Sequence, residues 1–212
     1  MEPAVREVFC KSALTKSEIT DYALNPYVGC AHNCVYCYAS FMARFSRHDR
    51  PWGQWVDVKV NAPQALAADL RRSSKRQQAP TRTVIDPVLE NLATDANTRR
   101  RARRKAQLER SSTSFEIIMS SVTDPYQPLE RTYRITRACL EILAGGSSET
   151  HAGLFPAPAL DDSIEAHPSL TILTKSDLVL RDIDVLQDLR HVEVGLTVTS
   201  VDDSVSRLYE PG

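Results

Sequence analysis

Phe115-Glu116-Ile117-Ile118-Met119 is a short apolar run of the kind that fills a buried strand, and residues 129–143 after it place Leu129, Tyr133, Cys139, Leu140 and Leu143 at helical spacing. This strand followed by a helix decides the fold, because the same order recurs on both sides of it. Downstream, Leu170-Thr171-Ile172-Leu173 reads as a strand with a short helix over residues 182–189, and Val192-Glu193-Val194-Gly195-Leu196-Thr197-Val198 reads as another strand. Ser200-Val201-Asp202-Asp203 then has the form of a capping box that opens a last helix. Upstream, Leu24-Asn25-Pro26-Tyr27-Val28-Gly29 reads as a first strand with its turn. Helical spacing follows over residues 38–45, and Asn61-Ala62-Pro63 reads as the N-cap and first turn of a helix reaching about Arg72. Strand and helix alternate four times, which implies an α/β fold with a parallel sheet and right-handed crossovers, since each strand needs a helix to return the chain to the same edge. In barrels of this type, chemistry gathers at the C-terminal ends of the strands.

Residues 1–21 are mixed and polar and read as an N-terminal extension to a core over residues 22–212. Two stretches interrupt that core. Residues 73–113 shift to Ser, Gln, Arg and Lys and contain Arg99-Arg100-Arg101-Ala102-Arg103-Arg104-Lys105, and residues 145–168 are rich in Gly, Ser, Pro and Ala. Both read as insertions. The basic run is either a solvated charged segment or a contact to nucleic-acid phosphates.

At 212 residues, 42% hydrophobic and 25% charged, the chain has the mixture of a folded soluble domain. Its 26 Lys and Arg balance 27 Asp and Glu, so the summed charge predicts neither a polyanionic partner nor an anionic membrane surface, and any nucleic-acid contact is local. The sequence has no secretory signal and no apolar stretch of roughly 20 residues, which leads to the expectation of an intracellular, cytoplasmic protein that does not enter a membrane.

Three of the five cysteines fall in Gly29-Cys30-Ala31-His32-Asn33-Cys34-Val35-Tyr36-Cys37-Tyr38, close enough for one loop to wrap a single inorganic core. Thiolates are soft ligands that select iron-sulfur clusters, zinc or copper, and a cubane of four irons bound by only three cysteines leaves one iron open to a substrate. A structural zinc site using the same thiols with His32 or Cys10 competes with this, although only Cys34 and Cys37 make a C-x2-C pair. Cys139 lies on the apolar face of its helix and reads as a small buried hydrophobe. Cys10 receives no role.

The C-x3-C-x2-C spacing with an aromatic residue before the last cysteine resembles the radical S-adenosylmethionine (radical SAM) superfamily. Asn25-Pro26-Tyr27-Val28-Gly29-Cys30, Thr123-Asp124-Pro125-Tyr126-Gln127-Pro128-Leu129-Glu130, Thr174-Lys175-Ser176 with Arg181-Asp182, and Leu208-Tyr209-Glu210-Pro211-Gly212 are similar to the branch related to spore photoproduct lyase. The resemblance covers about residues 22–212 apart from the two insertions. It implies a partial (β/α) barrel of six units. Four units here set the expectation that the chain is truncated, as a fragment or an incomplete gene product. It implies an enzyme whose 4Fe-4S cluster, on Cys30, Cys34 and Cys37, reductively cleaves S-adenosyl-L-methionine to a 5′-deoxyadenosyl radical for hydrogen abstraction. The substrate is unidentified, a nucleic acid by likeness to spore photoproduct lyase, and the implied partner is a ferredoxin- or flavodoxin-like electron donor.

The resemblance also implies residue roles at the mouth where the ends of strands two, three and four meet the cysteine loop. Ser120, Ser121 or Thr123 would lie near the amine of S-adenosylmethionine, and Lys175 would face its carboxylate. Thr197, Thr199 or Ser200 would contact the ribose or the carboxylate, Tyr36 would lie near the adenine, and Asp124 is a further candidate. Each has a plainer alternative. A strand-end Ser or Thr can cap the next helix, as Ser200 would, a lysine after a strand can reach solvent, and Asp124 can fix the turn before Pro125. Tyr126 and Glu130 can order that turn or contact substrate. Spore photoproduct lyase uses an additional cysteine for hydrogen transfer, and no thiol here matches it. The alternative class is a non-catalytic zinc- or nucleic-acid-binding module that uses the cysteines structurally.

Overall fold

The computed structural model describes residues 2–78, 115–119, 121–146 and 168–211. Ser120, the basic run 99–105, Gly212 and most of both expected insertions lie outside these residues. The strands are β1 (Ala4–Val8), β2 (Leu14–Lys16), β3 (Tyr22–Leu24), β4 (Tyr27–Val28), β5 (Trp55–Lys59), β6 (Glu116–Met119), β7 (Ser169–Thr174) and β8 (Val192–Leu196). The helices are α1 (Ala62–Gln78), α2 (Glu130–Tyr133), α3 (Ile135–Leu143), α4 (Ile183–Gln187) and α5 (Asp203–Tyr209), with 3-10 helices at Tyr38–Phe45 and Asp177–Asp182. Among the described residues no helix is long and apolar enough to cross a membrane.

The fold is α/β. The main sheet runs β2-β3-β6-β7-β8, in which β3, β6, β7 and β8 are parallel and lie side by side in chain order, while β2 pairs antiparallel at one edge. Sequential parallel neighbours are what strand-helix units winding one way produce. Ile117 and Met119 of β6 and Ile172 of β7 are fully buried in one cluster with Leu66 and Leu70 of α1 and Leu140 and Ile142 of α3. Cys139 belongs to that cluster as a fully buried side chain, and burial raises its thiol well above the ordinary value, which agrees with a packing role.

The predicted first strand is two strands in different sheets. Pro26 has no N–H for a ladder, and the chain turns there: β3 joins the main sheet, whereas β4 pairs with β5 in a second sheet of order β1-β5-β4. Within residues 1–21, the expected N-terminal extension, β1 lies parallel to β5 and β2 edges the main sheet. Neither strand alternates between buried and exposed positions, and most of their side chains face solvent, so periodicity gives no sign of them. β5 was invisible to periodicity because Asp57 sits inside a buried run. Its carboxylate is met by Arg6, with Nε to Oδ1 at 2.9 Å and Nη2 to Oδ2 at 2.6 Å, and by His48 Nε2 at 2.8 Å.

Asn61 stands directly before α1, at the expected N-cap, and its carbonyl accepts from Ala65 N–H at 3.0 Å. Its side chain clamps the backbone of Cys10, accepting from its N–H at 2.8 Å and donating to its carbonyl at 2.9 Å, so Cys10 is held half-buried against the core. Two other helix boundaries differ from expectation. The helix expected over residues 129–143 breaks at Arg134, whose φ is 54°. The fully buried Glu130 carboxylate drives this break: it accepts from the N–H groups of Thr136 at 2.9 Å and Arg137 at 3.2 Å, which cap α3, and it pairs with Arg181 at 2.9 Å and the Tyr27 hydroxyl. The N-cap of α5 is Asp202, which accepts from Ser204 N–H at 2.8 Å, while Ser200 Oγ only accepts from Asp202 N–H at 3.0 Å.

Gly29 turns the chain from β4 into the cysteine loop. Its φ is +86°, and a Cβ there would lie 2.4 Å from the Trp55 carbonyl oxygen. Gly29→Ala should therefore lower unfolding stability by about 2–3 kcal/mol, the sum of backbone strain and a clash with fixed backbone. Urea denaturation reads this, and an unchanged midpoint would refute the tight approach.

Candidate active site

A cavity of about 300 Å³ opens at the C-terminal ends of the parallel strands, at the lower end of the size range of small-molecule sites. The cysteine loop lines it with Cys30, Cys34, Cys37 and Tyr36. The segment after β6 contributes Ser121, Thr123 and Asp124, the end of β7 contributes Thr174 and Lys175, and Thr197 follows β8. Ile19, Ile118, Val122 and Leu173 give the apolar part of the wall.

The loop is held from below. Ala31 N–H donates to Gln127 Oε1 at 2.9 Å, and the Thr123 hydroxyl donates to the Gly29 carbonyl at 2.6 Å. Asn33 takes a left-handed φ of 49°, and Cys37 N–H donates back to the Cys34 carbonyl at 3.1 Å, so the three cysteines sit on successive tight turns. Cys30 is buried, and burial pushes its thiol up to about 12. Burial also raises the Cys34 thiol, with Lys175 pulling the other way. The three thiols border one cavity, and among the described residues no three His, Cys, Asp or Glu side chains converge as a site for a single metal ion.

Asp124 ties two strand ends together. Oδ1 accepts from Tyr126 N–H at 2.8 Å and from the Thr174 hydroxyl at 2.7 Å, and Oδ2 accepts from Lys175 N–H at 2.8 Å. Its burial works to raise the carboxyl, but His32, the Lys175 N–H and the Thr174 hydroxyl outweigh this and hold it below the ordinary carboxylate value. His32 Nε2 lies 3.3 Å from Asp124 Oδ2, yet it is buried without an aligned hydrogen bond. Asp124 does fix the turn before Pro125, as its plainer reading expected, and it lines the cavity as well.

On the far side, Lys175 Nζ donates to Tyr36 OH at 2.7 Å, to Glu210 Oε1 at 2.6 Å and to Thr199 Oγ1 at 3.3 Å. Its ammonium also lies 5.2 Å from the Tyr36 ring centroid. Lys175 thus turns inward to the mouth rather than out to solvent. Partial burial works against its charge, but Glu210 and Tyr36 outweigh it and raise the ammonium above its ordinary value.

The structure therefore brings together Cys30, Cys34, Cys37, Tyr36, Ser121, Thr123, Asp124, Lys175 and Thr197, with Thr199 joined through Tyr36 and Lys175. Ser200 stays outside the cavity wall, engaged in the turn before α5. Ser121 exchanges hydrogen bonds with the Asn25 side chain at 2.9 and 3.4 Å. Gln127 and Glu210 lie in the motif segments, where the sequence alone gives them no role. Gln127 is fully buried under the cysteine loop, and Glu210 reaches over the mouth; their place in the two Pro-containing segments was the signal that carried them.

Three soft thiols border the cavity together with His32, whose Nε2 lies 3.3 Å from Asp124 Oδ2, and donors of this kind are taken by iron-sulfur clusters and by zinc.

No family profile and no solved structure matches the chain. It is 28% identical over 197 residues to the uncharacterized protein MJ0683 of Methanocaldococcus jannaschii, covering 93% of this chain and 51% of that protein. It is 24% identical over 226 aligned residues to the uncharacterized proteins Mb2609c of Mycobacterium bovis and Rv2578c of Mycobacterium tuberculosis, covering 97% of this chain and 47% of each of them. The chain spans about half the length of the curated relatives it matches.

Proposed function

We propose that the chain carries the cluster- and S-adenosylmethionine-binding part of a radical SAM enzyme, built on a partial (β/α) barrel. The observation that supports it is that Cys30, Cys34 and Cys37 border the same cavity as the polar ends of three consecutive parallel strands. The sequential order of β3, β6, β7 and β8 supports the barrel type. Cys30, Cys34 and Cys37 would hold a 4Fe-4S cluster. When bound, such a cluster supplies one electron for reductive cleavage of S-adenosylmethionine to methionine and a 5′-deoxyadenosyl radical.

The chain's own residues bind and orient. Lys175 presents the cation for a ligand carboxylate, and the hydroxyls of Ser121, Thr197 and Thr199 present donors and acceptors at the strand ends. Tyr36 offers a ring face beside the loop. Thr123 and Asp124 act through the backbone they hold, Thr123 at Gly29 and Asp124 at Lys175. Ile118, Val122 and Leu173 give the same cavity an apolar wall.

This reading places the protein in a reducing intracellular compartment with a ferredoxin- or flavodoxin-like electron donor. Nucleic acid is the substrate class implied by the resemblance. The exposed ring of Tyr38 at the cavity wall, and those of Phe41 and Phe45 with Arg44 over them further along the same 3-10 helix, are groups that stack on bases and meet phosphates. Anaerobically reconstituted protein given a reductant and S-adenosylmethionine should form 5′-deoxyadenosine, read by chromatography, and an added oligonucleotide substrate should raise the yield. Stoichiometric colourless zinc with no 5′-deoxyadenosine would instead establish the structural zinc module.

A further inference from the structure

Lys175, Tyr36 and Thr199 come from three separate segments, after β7, within the cysteine loop and after β8, yet their polar ends meet on one oxygen. Glu210 Oε1 accepts from Lys175 Nζ at 2.6 Å and from the hydroxyls of Tyr36 and Thr199. An ammonium and two hydroxyls arranged around one carboxylate oxygen form a ready carboxylate site. Lys175 lines the cavity, whereas Glu210 lies outside its lining and enters from the residue after α5. The strap that delivers it is fastened next door, where Val35 N–H donates to the Tyr209 carbonyl at 2.9 Å. Both side chains of the ion pair are about one-fifth exposed, at 18% for Lys175 and 20% for Glu210, so the ammonium has lost much of its water and leans on this one anion.

We propose that Glu210 is an internal stand-in for the ligand's carboxylate: it occupies the Lys175, Tyr36 and Thr199 site from the rim and is displaced when a ligand carboxylate binds there. The three donors converge on one oxygen position, and two carboxylate oxygens cannot fill it at once, so the ligand's group and Glu210 exclude each other there. Glu210 is then a specificity-determining residue. It keeps the site charged and aimed, and it sets a threshold that only a ligand with its own carboxylate overcomes. The inference rests on the reading above, in which that ligand is the amino-acid end of S-adenosylmethionine.

The probe is S-adenosylhomocysteine, which has the same amino-acid end without the reactive sulfonium, and binding to the reconstituted full chain is measured by calorimetry. Glu210→Gln should bind it roughly three- to tenfold more tightly than the parent, because the charged competitor is gone while shape is kept. Glu210→Ala should move in the same direction, which guards against a glutamine that still occupies the site. Lys175→Met should bind roughly tenfold more weakly or worse, and adding Glu210→Gln to it should restore nothing. The decarboxylated thioether analogue should bind the parent and Glu210→Gln alike. Weaker or unchanged binding in both Glu210 variants, or a gain that persists in Lys175→Met or with the decarboxylated analogue, would overturn the stand-in role. Absence of binding in the parent and every variant would instead bring down the S-adenosylmethionine reading along with the inference built on it.

Discussion

Cys34→Ala should leave the reconstituted protein unable to hold the proposed cluster: iron and sulfide should fall from about four of each per chain to below one, and 5′-deoxyadenosine should fall to background. The size of the effect follows from the ligand count. A cubane held by three thiols keeps one iron open, so removing one thiol leaves two protein bonds and two open irons, exposed to solvent and oxygen. The substitution leaves the loop itself intact. Cys34 contributes its carbonyl to Cys37 N–H at 3.1 Å, a backbone bond that alanine preserves, and its thiol meets Tyr36 at the mouth, whereas the backbone of the loop is held by Gln127 at Ala31 N–H. Cys139→Ala is the matched control. That thiol is fully buried in the apolar cluster, so its loss should cost about 1 kcal/mol of stability and leave iron content unchanged. Full iron and sulfide in Cys34→Ala would sink the cluster assignment.

The second large effect is expected at Asp124. Asp124→Asn should destabilise the protein by about 2–4 kcal/mol, because a buried carboxylate that accepts from two backbone N–H groups and a hydroxyl is replaced by an amide that turns a donor toward one of them. The loss should depend on pH in a defined direction. The folded carboxyl is held below its ordinary value, so its contribution is fully present above the unfolded value of about 3.9 and is lost as pH falls through the lower folded value. The stability gap between parent and variant should therefore be widest near neutrality and should close on acidification below about pH 4. Denaturant titrations at several pH values read this gap. A gap independent of pH would mean that the carboxylate charge is not what ties the end of β6 to the end of β7.

The same two residues mark how far the sequence could be read. The cysteine triad was legible because its spacing is local: eight residues contain all three thiols, and no distant partner is needed to see them. The parallel core was legible for a similar reason, since Ile117, Ile118 and Met119 of β6 and Leu170 and Ile172 of β7 announce buried strands by their own composition. β5 was not, because its apolar run carries Asp57, which is tolerable only once Arg6, 51 positions away, folds against it. The single helix expected over residues 129–143 failed for a related reason: Glu130 becomes a cap and an ion-pair partner only when Arg181, also 51 positions away, is in place.

The chemical groups and their order are written along the chain: three thiols in one loop, then a polar cluster at the end of each following strand. Which of those groups meet follows from the fold. Lys175 and Glu210 are 35 positions apart, and Tyr36 and Glu210 are 174 apart, so neither spacing nor propensity could pair them. The physical reason is that a strand pattern records which face of a segment avoids water, a local property. The partner of a charged side chain depends instead on where the sheet's winding brings distant strand ends, and on which anion lies near enough to replace the water that an ammonium gives up there.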